Sequence, residues 1–107
     1  MSIIDKDKVD GIAISKDGKT LVLLITDHLD WSDEYIHLIK LQEKINSYIG
    51  FLESDQYKDI YPGNQFFKYL IEIHFKHQIS ENCIKWIETA NKQLSNNDIK
   101  IEYIVVD

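Results

Sequence analysis

The residues from Phe67 to Lys76 alternate more strictly than any other stretch, with Tyr69, Ile71, Ile73 and Phe75 interleaved by Lys68, Leu70, Glu72, His74 and Lys76. A strand puts successive side chains on opposite faces, so one face of this one is buried and the other mostly wet. A sheet with a wet face accepts helices on one side only, which dictates two layers. The rest of the chain must supply the remaining strands and a single layer of helix.

Three further segments read as strands. Val9 to Ser15 sets Ile12 and Ile14 on one face and Gly11 and Ala13 on the other. Lys16-Asp17-Gly18-Lys19 is a hairpin turn in which Asp-Gly is expected to provide positive φ angles. Thr20 to Thr26 follows, and its continuous apolar run Leu21 to Ile25 predicts a central strand covered on both faces. Ile99 to Val106 closes the chain, with Ile99, Ile101, Tyr103 and Val105 toward the core.

Two helices separate these strands. Leu38, Leu41, Ile45, Tyr48 and Leu52 repeat at helical spacing within 33–53, and Ile49 widens the stripe. Ser32 or Asp30 is the expected N-cap, and Asp33 and Glu34 suit the positive end of the helix dipole. Ser54 to Gln65 reads as a loop ending at Tyr61-Pro62-Gly63-Asn64. Ser80 caps a second helix over 81–94, with Cys83, Ile87, Ala90 and Leu94 inward, and Ser95 to Asp98 is a turn. The predicted fold is α+β, a two-layer sandwich of order ββαβαβ, with a four-stranded mixed sheet and two helices on one face. Residues 1–107 form a single domain, and 107 residues with 44% hydrophobic content can close one core without staples.

Charge narrows the partners. All twelve basic residues are lysines and the net charge is −6, with pI about 5.1. Nucleic acid and anionic membrane are repelled by such a field, and no arginine fork is present for phosphate. A cationic protein partner is the better electrostatic match, for a chain expected to be a monomer or weak homodimer. Met1 to Asp10 does not read as a signal peptide and no run is long enough for a bilayer, so a cytoplasmic location is expected. Cys83 is the single cysteine, which excludes an internal disulfide.

The densest chemistry lies in Asp27-His28-Leu29-Asp30-Trp31-Ser32-Asp33-Glu34, which has four carboxylates and no lysine. The plainer and stronger reading is that Asp30, Asp33 and Glu34 serve the helix N-terminus while Trp31 packs over the core edge. The sharper reading makes Asp27, His28, Asp30, Trp31, Asp33 and Glu34 a partner-binding surface. An Asp-His pair also has the chemistry for acid–base work, the weakest of the three readings. His74 and His77, three apart on a strand, point to opposite faces and do not converge on a metal. His37 reads as a boundary residue and Cys83 as inert packing. No Gly-rich phosphate loop or serine-nucleophile motif is present. Neither a metal nor a cofactor is expected, nor is catalysis.

The stretches Val9-Asp10-Gly11-Ile12, Leu21 to Trp31, His37-Leu38 and Leu41 to Asn46 resemble an uncharacterised family of small single-domain bacterial proteins. Proteins of this kind are similar in type to immunity proteins, which neutralise the toxic domain of a contact-dependent or polymorphic toxin. The resemblance implies a cytoplasmic toxin inhibitor and carries over no catalytic residue. Two rival functions follow from the residues. One is a small-ligand binder or enzyme using Asp27 to Trp31 with Gln42 and Asn46. The other is an assembly module that pairs its outer strand or helix with itself.

Overall fold

The computed structural model describes residues 8–63 and 65–106. The expectation for Met1 to Asp10 therefore falls largely outside the described residues, as does Asn64 of the predicted turn. The strands are β1 (Gly11–Ile14), β2 (Thr20–Asp27), β3 (Lys68–Phe75) and β4 (Ile99–Val105), and the helices are α1 (Glu34–Glu53) and α2 (Glu81–Leu94). They form one sheet of order β1-β2-β3-β4, in which β1 is antiparallel to β2 while β2, β3 and β4 run parallel. Each parallel step needs a crossover, and α1 and α2 provide them. The fold is thus the expected α+β sandwich with a mixed sheet and both helices on one face. Among the described residues no helix is long and apolar enough to cross a membrane.

The predicted register of β3 holds, since Ile71, Ile73 and Phe75 are fully buried. Leu21, Leu23 and Ile25 of β2 and Ile99 and Ile101 of β4 join them against Leu41, Ile45, Tyr48 and Leu52 of α1 and Cys83 and Ile87 of α2. Four local expectations are corrected. β2 is central but covered on one face only, so its burial alternates and Val22 and Leu24 stay half-buried on the bare side. An apolar run here marks a strand between two neighbours rather than one between two layers. In the hairpin only Gly18 takes positive φ, at 72°, after a turn closed by the Gly18 N–H donating to the Ser15 carbonyl at 2.9 Å. Asp17 acts through its side chain, which accepts from Ser15 Oγ at 2.6 Å and Lys19 N at 3.0 Å. Tyr103 shares the inner face of β4 yet is 38% exposed, resting edge-on against Phe75. The segment after α1 is no simple loop, because a 3₁₀ turn (Gln56–Asp59) buries Tyr57 under Phe66 and Tyr69.

The seam of α1 that meets the sheet is partly polar. His37 and Lys44 lie in phase with Leu41 and Tyr48, and both are buried. Lys44 Nζ reaches Asp10 Oδ1 at 2.8 Å and the Lys8 carbonyl at 2.7 Å. Asp10 Oδ2 accepts from Thr26 N at 2.9 Å, and the Asp10 N–H donates to Tyr48 Oη at 2.8 Å. The Tyr48 hydroxyl in turn donates to the Leu24 carbonyl at 2.5 Å. Burial and the nearby Asp10 carboxylate push the Tyr48 phenol well above its ordinary value, so it stays a donor. Asp10 also holds Thr26 N, so removing its carboxylate leaves a buried donor short of its acceptor. Asp10→Ala is therefore expected to lower stability by about 1–3 kcal/mol in urea unfolding. Lys58→Ala, which breaks an exposed 3.5 Å pair with Asp55, should change it by less than ~1 kcal/mol.

Candidate functional site

β2 ends at Asp27, at the carboxyl end of the three parallel strands, and the chain then turns through His28 to Ser32 before α1 begins. The N-cap is Asp33, whose side chain accepts from Ile36 N at 3.2 Å. Neither Ser32 nor Asp30 fills that role, because each is spent on the preceding turn. Asp30 Oδ1 accepts from Ser32 Oγ at 2.6 Å and from Ser32 N at 3.1 Å. Those two bonds hold the Asp30 carboxyl below its ordinary range. Glu34 is likewise lowered, by Ser80 and then Asn82, the latter donating at 3.0 Å and tying the start of α1 to the start of α2. A lowered carboxyl supports the fold above its unfolded pKa and loses that support as pH falls through the folded one.

Asp27 faces inward. Its Oδ2 lies 2.5 Å from His37 Nε2, and Oδ1 accepts from Leu29 N at 3.1 Å. His37 Nδ1 is 3.0 Å from the Asp30 carbonyl. His37 is thus a core residue, correcting the boundary assignment. It lacked a partner at i+4 because its carboxylate arrives from the strand instead. Oxygen atoms flank both ring nitrogens, so the imidazole is held from both sides. With both nitrogens engaged and no solvent access, this dyad offers a substrate neither a lone pair nor a proton.

Trp31 stacks on His37 with centroids 3.6 Å apart and 22° between planes, and it tilts against Phe75. Its Nε1–H is buried without an acceptor among the described residues. The indole is therefore a lid on the Asp27–His37 pair and not a free anchor. Of the six candidate residues, the structure turns Asp27 and Trp31 inward and leaves His28, Asp30 and Asp33 exposed, with Glu34 half-buried.

The exposed aromatic at this place is Tyr35, at 72% exposure, with Ile36 beside it at 45%. Sequence reasoning missed both, although the phase of the Leu38 to Leu52 stripe already put them off the buried face. Asn46 lines a cleft of about 190 Å³ against Trp86 of α2, whose lining includes no residue of the acidic segment. A larger hollow of about 540 Å³ sits where β3 and β4 begin, lined by Lys68, Leu70 and Asn91. His74 is half-buried on the bare sheet face, 2.5 Å from Glu72, while His77 is exposed. No group of three or more metal-ligating side chains occurs among the described residues.

The whole chain, residues 1–107, matches the profile of a family of unknown function, DUF6572. The chain belongs to that family. No match was found among curated proteins or solved structures.

Cys83 is fully buried on α2, and burial first, then Asp27 and Glu34, pushes its thiol up to about 12. Only the thiolate reacts. At pH 8 the native protein should therefore react with Ellman's reagent at least ~100-fold more slowly than the urea-unfolded chain. Comparable rates would show the thiol to be accessible and contradict this packing.

Proposed function

We propose that this member of the family is a cytoplasmic protein-binding domain that acts by masking rather than catalysis, in the manner of an immunity protein held against a toxin domain. The observation that carries the reading is Tyr35, a large aromatic left open to solvent at the start of α1, two residues after the exposed Asp33. Tyrosine is among the residues that most often dominate protein interfaces. Asp30 and Asp33 are held in place by their own turn and cap bonds, so their charge is presented without further ordering on binding. The net charge of −6 attracts a cationic partner and speeds encounter.

The binding surface in this proposal is Asp30, Asp33, Tyr35 and Ile36. Asp27 and Trp31 support it from beneath, and His28 and Glu34 border it. The test is binding kinetics against a cationic toxin domain, taken from a neighbouring gene where one is encoded there. Tyr35→Ala is expected to raise the dissociation rate by ~30-fold or more, the scale of a hot-spot truncation. Asp30→Asn with Asp33→Asn should slow association at low salt, with the difference shrinking as salt rises. Trp31→Ala should act chiefly on the melting temperature. If the domain binds with unchanged kinetics to the folded Tyr35 and aspartate variants, the surface lies elsewhere. If it does not bind at all, the immunity reading fails.

A further inference from the structure

β4 is an edge strand, and its two halves are treated differently. Asp98 O accepts from Tyr69 N, and Val106 N donates to Phe75 O. In a parallel ladder the backbone groups of alternate residues point the same way, so residues 98, 100, 102, 104 and 106 face β3. The N–H and C=O of Ile99, Ile101, Tyr103 and Val105 therefore point outward. Those of Ile101 are both taken by one side chain. Asn91 Oδ1 accepts from Ile101 N at 2.7 Å, and Asn91 Nδ2 donates to Ile101 O at 3.0 Å. The amide of α2 thus imitates a neighbouring strand and closes the edge there. Beyond it Tyr103 and Val105 carry outward backbone groups, flanked by Ile104 at 47% exposure and Val106 at 44%. Open apolar edges are usually blunted by charge, proline or cover. Among the described residues the cover stops at Ile101.

We infer that the open half of β4 pairs antiparallel with β4 of a second copy of this chain, about a two-fold axis at Ile104. In that register Tyr103 of one copy exchanges both backbone hydrogen bonds with Val105 of the other, and the symmetric pair does the same. Ile104 then faces its own counterpart across the bare side of the sheet, an apolar pair in the closer, non-hydrogen-bonded position. The competing two-fold register centred on Glu102 sets two like charges opposite each other and needs the Ile101 groups that Asn91 already holds. The two open residues stand symmetrically about Ile104, so one stretch serves as both halves of a two-fold interface and every open backbone group of the two copies is paired. The interface is small, which makes the dimer weak and dependent on concentration.

Sedimentation velocity of the full chain from about 10 µM to 1 mM reads this directly. The wild type should shift from monomer toward dimer across that range. Val105→Pro removes an outward N–H that the sheet does not use, so the fold tolerates it, and the variant should remain monomeric at every concentration. Ile104→Lys places two ammonium groups face to face and should do the same, with an unchanged circular dichroism spectrum. If Val105→Pro fails to fold, Ile104→Lys alone decides. A wild type that stays monomeric at 1 mM overturns the inference, and so does a dimer that persists in the folded variants. Both substitutions leave Tyr35 and Asp33 untouched, so the outcome is independent of toxin binding.

Discussion

The arrangement depends on polar groups that α1 carries into the core. A purely apolar helix can slide or rotate over a sheet at little cost, because hydrophobic contact is non-directional. His37 and Lys44 remove that freedom. His37 meets Asp27 at the end of β2, and Lys44 meets Asp10 just before β1 and the Lys8 carbonyl, contacts that hold only in one placement of the helix. Tyr48 adds a third fixed point through the Leu24 carbonyl. Together these contacts set how far along the sheet α1 lies and draw in the short edge strand β1.

The same contacts explain the acidic segment. Asp27 is spent on His37, Trp31 covers that pair, and the Asp30 carbonyl holds the other side of the ring. What remains at the surface is the outer rim, where Asp30, Asp33 and Tyr35 are exposed. A segment that looks like a single functional cluster in one dimension thus divides into an inner half packed against the core and an outer half left to solvent.

Periodicity made most of the fold legible. The two-residue alternation of β3 and the helical stripe of α1 follow from geometry alone, and the caps and turn residues bounded them to within a few positions. What it missed has a common cause. The stripe of α1 was traced through apolar residues only, so Lys44, in phase with Leu41 and Tyr48, was not recognised as buried. Its partner Asp10 lies far away in sequence, as Asp27 does from His37, and a local pattern cannot report a contact made by a distant strand. Likewise, Leu21 to Ile25 showed that β2 is central without showing how many layers cover it. Tyr35 was legible from its phase, yet Trp31 drew attention as the larger aromatic.

The parallel pairing of β2 with β3 also governs the order in which the chain assembles. Residue 20 lies opposite residue 68, so the middle of the sheet closes only after the whole of α1 has been made and folded across. The β1–β2 hairpin is local and forms early, while the β2–β3 ladder carries a long loop-closure cost and forms late. In the interval, the apolar edge of β2 stands open to any other strand it meets. A newly made chain is therefore most vulnerable to aggregation before β3 arrives, and its survival rests on how fast α1 settles onto the hairpin.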